Sequence, residues 1–208
     1  MYHKKKIKEM VLENFIVLEG LDGAGTTTQA DLLSSRCRDE GIPAFLTREP
    51  TDHDIGLIIR TILQKKAAVR PHTMAYLFAA DRNEHLDGPG GIREAAAKGL
   101  RVICDRYIFS SLAYQSVDCG WDMVYALNSG FPLPEFLVFL DITPGEGEKR
   151  LAGRREREIY EYTDFQTQVS VLYEKTLEAY AESGIKILRL NATEPPELIH
   201  EKIWAFVQ

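Results

Sequence analysis

One short segment decides most of what this chain can become. "FIVLEGLDGAGTTTQADLL", Phe15 to Leu33, runs from a β-branched apolar stretch through a glycine-rich turn into a helical pattern. A strand, a tight turn and a helix in that order bring backbone N–H groups together at a helix N-terminus, where an anion is favoured. Gly20 and Gly25 have the spacing of G-x-x-x-x-G-K-[ST], a loop that cradles phosphates. The next position departs from that pattern. Lysine, the cation that reaches the outer phosphates, is replaced by Thr26, while Thr27 keeps the hydroxyl that binds Mg2+ beside the β- and γ-phosphates. Gly20, Leu21, Asp22, Gly23, Ala24, Gly25, Thr26, Thr27 and Thr28 are therefore the expected cradle for a nucleotide's phosphates.

The rest of the chain alternates the same two patterns. Phe15 to Glu19 reads as a buried strand and Thr27 to Glu40 as a helix closed by Gly41. Pro43 to Thr47 is a second strand. Asp54 to Gln64 is helical, with Ile55, Ile58, Ile59 and Ile62 assigned to one face, and "HTMAYLFAADRNEHL" follows Pro71 as another helix. "GIREAAAKG" is a short helix, "LRVICD", "EFLVFLDI" and "IKILRL" are three more strands, and "ELIHEKIWAFV" closes the chain as an amphipathic helix. Strands separated by helices imply right-handed crossovers and a parallel sheet. The expected fold is thus α/β of the P-loop NTPase type, a five-stranded parallel sheet with helices on both faces, in one domain spanning residues 1–208. No repeat or linker marks a boundary.

Ligands of such sheets bind at the carboxyl ends of the strands, and the chemistry-bearing residues gather there: the glycine loop, "TREP" from Thr47 and "DRY" from Asp105. Asp105 suits a carboxylate that holds Mg2+. Arg48 and Arg106 end neighbouring strands, so their guanidinium forks are placed to clamp one phosphate.

Charge and cysteine content narrow the rest. A formal net charge of −6 disfavours nucleic acid or an anionic membrane as the main partner. Cys37, Cys104 and Cys119 have no metal-ligand spacing and fit a reducing compartment, the cytoplasm. No apolar run reaches the roughly 18 residues of a membrane span. The basic start, within residues 1–12, reads as a solvated tail. The five histidines are scattered, and phosphoryl transfer asks the protein mainly for positioning and charge neutralisation.

Taken together, "LEGLDGAGTTTQ", "TREP", "LFAADR" and "DRYIFSSLAYQ" resemble, in order and spacing, the thymidylate kinase family. The resemblance covers nearly the whole chain. It implies transfer of the γ-phosphoryl of MgATP to dTMP, giving dTDP, with Mg2+ held by Thr27 and Asp105. It implies that Phe78 stacks on the thymine, that Arg82, Ser111 and Gln115 bond its edge, and that Tyr114 crowds the place of a 2′-hydroxyl. Asp22 would accept from the 3′-hydroxyl, Arg48 and Arg106 would hold the acceptor phosphate, and Tyr160 would join the dTMP pocket. A homodimer formed through sheet-flanking helices is implied as well.

The stretch "EKRLAGRREREIYEYTDF" falls where that family places a mobile lid, here about residues 150–162, and Glu158, Tyr160 and Glu161 match its glutamate-x-tyrosine-glutamate motif. The family usually has arginine where this chain has Ile159. Both departures, Thr26 and Ile159, remove positive charge near phosphate. A unit charge pair at 4 Å is worth about 4 kcal/mol at an effective dielectric near 20, so an unreplaced lysine would slow transfer by about a thousandfold. Arg154, Arg155 and Arg157 are the candidates to replace it from the lid. The alternatives are a nucleotide-binding relative without turnover and a kinase for another nucleoside monophosphate.

Overall fold

The computed structural model describes residues 11–152 and 158–208. Five strands, β1 (Val11–Gly20), β2 (Ala44–Arg48), β3 (Arg101–Asp105), β4 (Leu133–Asp141) and β5 (Lys186–Asn191), form one sheet in the order β2-β3-β1-β4-β5. Every neighbouring pair is parallel. Central β1 is covered on both faces, which is why its sequence is a continuous apolar run rather than an alternation; Phe15, Ile16, Val17 and Leu18 have no exposed surface.

Ten helices among the described residues connect and cover the strands: α1 (Thr26–Asp39), α2 (Asp54–Leu63), α3 (Pro71–Asp87), α4 (Ile92–Ala97), α5 (Ile108–Tyr114), α6 (Ser116–Cys119), α7 (Trp121–Asn128), α8 (Pro144–Leu151), α9 (Thr163–Tyr180) and α10 (Pro196–Phe206). None is long and apolar enough to cross a membrane. Cys37 and Cys104 are buried free thiols.

Three expectations need correction. Val11 and Leu12, assigned to a solvated tail over residues 1–12, open β1 and pair with Leu133 and Pro134. The polar Glu13–Asn14 step does not end the strand. It sits where the β1–β4 register shifts, with Asn14 at φ 58° and its N–H donating to Glu135 Oε2 at 2.9 Å, so the strand absorbs the polar pair as a bulge. Ile58 is 51% exposed while Ile59 is fully buried; consecutive helical residues lie about 100° apart, so the two cannot share the buried stripe. The start of the presumed lid is helical, because Arg150 and Leu151 form the last turn of α8. That helix is launched by a capping box in which the Thr143 hydroxyl accepts from Glu146 N–H and the Glu146 carboxylate accepts from Thr143 N–H. The expected charge-replacing residues Arg154, Arg155 and Arg157 lie outside the described residues.

Candidate active site

A cavity of about 440 Å3 opens at the carboxyl ends of β1, β2 and β3. Its floor is the glycine loop between β1 and α1. Gly25, at φ 94°, turns the chain into α1 through a left-handed conformation that a side chain would disfavour. Gly23, at φ 85°, also lies against the first turns of α8: a Cβ built on it would come within 2.7 Å of the Gly147 carbonyl oxygen, and one built on Gly147 within 2.5 Å of the Asp22 carbonyl oxygen. Thr26 begins α1 with only 5% of its surface exposed, whereas Thr27 and Thr28 are exposed at the cavity.

Thr27 and Asp105 meet across the loop. The Thr27 hydroxyl donates to Asp105 Oδ2 at 2.5 Å. The other carboxylate oxygen, Oδ1, is buried and has no hydrogen-bond partner among the described residues. A hydroxyl oxygen beside an unpartnered carboxylate oxygen is a donor set for a hard divalent cation that draws its remaining ligands from water and phosphate. The pair therefore fits Mg2+. No cluster of three or more histidine, cysteine or acidic side chains forms a protein-only cage among the described residues.

Arg106 follows at the end of β3 with φ 72°, a left-handed backbone that costs a non-glycine residue about 1–2 kcal/mol. Its N–H donates to the Leu18 carbonyl. Its guanidinium donates through Nη1 to Gly20 O (3.0 Å) and Ser110 Oγ (3.2 Å), and through Nη2 to Asp22 Oδ1 (2.7 Å). Asp22 is thus shared, since its Oδ2 accepts from Gln166 Nε2 at 2.8 Å. Arg48, whose side chain is half exposed, faces the same cavity from β2, 3.7 Å from Asp52.

The opposite wall comes from α2, α3, α5 and the segment after residue 157. Phe78 is half-buried on the cavity side of a small cluster of Ile59, Ile62, Leu63 and Met74. One turn on, Arg82 is 1% exposed and committed to protein partners. Nε and Nη2 donate to Glu49 Oε2 at 2.9 and 2.6 Å, Nη2 also to Ser111 Oγ at 3.1 Å, and Nη1 to Asn128 Oδ1. Of its five N–H donors one has no acceptor among the described residues. His85 bridges Glu49 Oε1 (3.1 Å) and the Thr47 hydroxyl (2.6 Å), extending this buried network back to β2. Tyr114 meets Tyr160 edge-on with ring centroids 5.7 Å apart, and Tyr160 stacks on Phe165 at 4.8 Å. Burial pushes the Tyr160 phenol up to about 12, against the hydrogen bond it makes with Gln115.

Comparison with known proteins decides what this arrangement belongs to. A profile of the family described as thymidylate kinase matches residues 18–203. A protein of Treponema pallidum (strain Nichols), provisionally named thymidylate kinase, is 40% identical over 196 residues, covering 93% of this chain and 94% of that one. A similarly named protein of Pyrococcus horikoshii is 38% identical over 203 residues, covering 93% and 95%. The chain belongs to the thymidylate kinase family.

Within that family this chain's two departures have different physical settings. Thr26 is a buried, neutral residue under the loop. Ile159 sits in the cluster of Ile59, Ile62, Leu63 and Met74, and its N–H donates to the Leu63 carbonyl at 3.1 Å. Nearby, Lys65 Nζ donates to the Tyr162 hydroxyl at 2.7 Å. Here the segment carrying the glutamate-x-tyrosine-glutamate motif is seated on the end of α2 by apolar contact.

Five residues at this site escape a reading by motif. Gln166 and Tyr173 reach it from α9, Glu49 and Glu19 from the ends of β2 and β1, and Arg150 from α8. Arg150 donates from Nη1 to the Gly23 carbonyl at 3.1 Å and from Nη2 to the Ala192 carbonyl at 2.7 Å, lying directly against the phosphate loop. It falls inside the expected lid range, and the density of arginine there was the one available signal.

Proposed function

We propose that this protein is a thymidylate kinase that transfers the γ-phosphoryl group of MgATP to dTMP, releasing ADP and dTDP. The observation that carries the proposal is the meeting, in one cavity, of a phosphate loop with its Thr27–Asp105 pair and an aromatic, hydrogen-bonding pocket built from Phe78, Ser111, Tyr114, Gln115 and Tyr160, far along the chain. Residues 20 to 28 cradle the donor phosphates, with backbone N–H groups doing most of the work. Thr27 and Asp105 would hold Mg2+, which would supply positive charge against the donor phosphates. Arg48 and Arg106 orient the acceptor phosphate toward the donor. Phe78 and Tyr160 enclose the base, and Ser111, Gln115 and the last free N–H of Arg82 meet its polar edge. Tyr114 crowds the sugar's 2′ position, and Asp22 and Gln166 meet its 3′ side.

The missing lysine has a described candidate replacement, Arg150, beside Arg154, Arg155 and Arg157. Arginine is always charged and spans two phosphate oxygens, and a charge engaged most strongly as transfer proceeds raises turnover rather than ground-state affinity. We further propose a homodimer that covers Leu57, Ile58 and Tyr76, which are 50%, 51% and 56% exposed on α2 and α3, and residence in the cytoplasm, where Cys37 and Cys104 stay reduced.

A coupled ADP-release assay with MgATP and each deoxynucleoside monophosphate tests the reading. Turnover should be fastest with dTMP. Micromolar binding of dTMP without turnover would assign the chain to a non-catalytic role, and preference for another monophosphate would reassign the base pocket.

A further inference from the structure

Glu19 is a carboxylate with no exposed surface, one residue before the phosphate loop. Four donors converge on it. Oε1 accepts from Tyr107 N–H at 2.8 Å and Ser110 N–H at 3.1 Å, and Oε2 accepts from the Ser110 hydroxyl at 2.5 Å and the Tyr173 hydroxyl at 2.8 Å. Those two hydroxyls lie 3.0 Å apart, and both reach Arg106 Nη1, Ser110 at 3.2 Å and Tyr173 at 3.5 Å. Tyr173 also lies 3.2 Å from the Gly20 carbonyl, which Nη1 shares. A left-handed arginine backbone persists only where its surroundings over-determine it, and Glu19 organises much of what surrounds Arg106.

We infer that Glu19 is the positioning residue for Arg106, acting through the hydroxyls of Ser110 and Tyr173, and that a single proton on Glu19 reverses those hydroxyls and loosens Arg106. As an anion, Glu19 draws both hydroxyl hydrogens toward itself, turns the oxygen lone pairs toward Nη1 and faces the guanidinium with a full negative charge. When a proton from solvent settles on Oε2, that O–H donates to Ser110 Oγ. The Ser110 hydrogen then turns to Tyr173, and the Tyr173 hydrogen turns to the Gly20 carbonyl, where it competes with Nη1. One proton is gained and no bond between heavy atoms changes. The titratable and charged groups facing Glu19 are Arg106 from the β3–α5 turn, Tyr107 beside it, Tyr173 from α9 and Cys104 from β3. Burial pushes the Glu19 carboxyl up to about 7, against the Arg106 charge and the four hydrogen bonds that pull it down. The two hydrogen-bond arrangements therefore exchange near neutrality.

The inference rests on Arg106 holding the acceptor phosphate, and its test has one arm that does not. Glu19→Gln keeps an acceptor toward Tyr107 and Ser110 N–H but presents an amide donor to both hydroxyls, the arrangement of the protonated state. The parent should match Glu19→Gln in kcat/KM for dTMP at pH 5.5 and exceed it by about tenfold at pH 8.5, the effect of one pKa unit of coupling. Comparing the two enzymes at each pH cancels titration of the dTMP phosphate itself. Tyr173→Phe, which keeps the ring and removes the relay hydroxyl, should lower the pH 8.5 value severalfold and, because no hydroxyl then competes with Nη1 for the Gly20 carbonyl, narrow the gap between the pH 8.5 and pH 5.5 values. Without substrate, NMR signals of the Glu19 carboxyl carbon and the Arg106 guanidinium nitrogens should titrate together. Arg106 signals that stay fixed while Glu19 titrates, or a Glu19→Gln enzyme equal to the parent at pH 8.5, would overturn the inference. Joint titration with no kinase activity on any monophosphate would sink the functional reading and leave the positioning role standing.

Discussion

Replacing Glu49 by glutamine should destabilise the protein far more than the loss of one negative charge at a surface. Glu49 and Arg82 are paired with side chains 2% and 1% exposed, and one carboxylate oxygen receives two guanidinium N–H groups at 2.9 and 2.6 Å. Glutamine keeps the shape but leaves the guanidinium buried beside a neutral amide. Breaking a buried pair from one side costs about 3–5 kcal/mol, against total stabilities of about 5–15 kcal/mol for a domain. For a chain of this length each kcal/mol moves Tm by about 2–4 °C, so the expected fall is about 6–20 °C. Thermal and urea unfolding followed by circular dichroism at pH 8 would measure it, with Glu49→Leu and Arg82→Met as further single variants. The double variant Glu49→Leu with Arg82→Met removes both charges together and should recover at least half of the summed loss. A Glu49→Gln protein within about 1 kcal/mol of the parent, or a double variant as poor as the sum of its parts, would refute the claim that this pair carries an uncompensable buried charge.

The active-site assignments give three more expectations. Phe78→Ala should weaken dTMP binding about five- to 150-fold, since base–aromatic stacking is worth about 1–3 kcal/mol, with ATP binding nearly unchanged by calorimetry; equal losses would leave Phe78 only its place in the Ile59–Met74 cluster. Asp105→Asn should raise the Mg2+ concentration needed for half-maximal activity, while Arg106→Ala should raise KM for dTMP without moving it, and the reverse pattern would exchange their roles. Arg150→Ala should lower turnover by about a hundredfold, close to 2.7 kcal/mol of transition-state stabilisation, with a smaller loss of ATP affinity, and adding Thr26→Lys should restore part of it. Parent-like turnover in Arg150→Ala would return the search for the missing cation to Arg154, Arg155 and Arg157.

How much of this was legible depended on whether local pattern or distant pairing carried the information. β1, the glycine loop and α1 were legible because a buried parallel strand, a positive-φ turn and a helical period each leave a local mark. Helix α9 left a weaker one. Its buried positions, Gln166, Val169, Tyr173, Thr176 and Tyr180, have helical spacing, but four of the five carry a polar atom: Gln166 and Tyr173 turn theirs to the site, while the rings of Tyr173 and Tyr180 pack in the core. Arg82 was expected at the base edge from its place one turn after Phe78. That Glu49, Asn128 and Ser111 use four of its five N–H groups needed partners 33, 46 and 29 residues away. Glu19 stood in the quoted motif as an ordinary strand residue, and nothing in "LEG" says that a tyrosine 154 residues later will meet it. Ile159 was legible only as an absent arginine, since its apolar seat is built by α2 and α3.

The contact between Gly23 and Gly147 couples the phosphate loop mechanically to α8. Because neither position has room for a Cβ, the backbone of α8 rests directly on the phosphate loop, and Arg150 ties the far turn of that helix to the Gly23 carbonyl. Any displacement of α8 would therefore push on the peptide units around Gly23. If residues 20 to 28 hold the donor phosphates as proposed, enlarging Gly147 to alanine would press on the loop from outside the nucleotide site, and ADP release would change without any residue touching ADP having been altered.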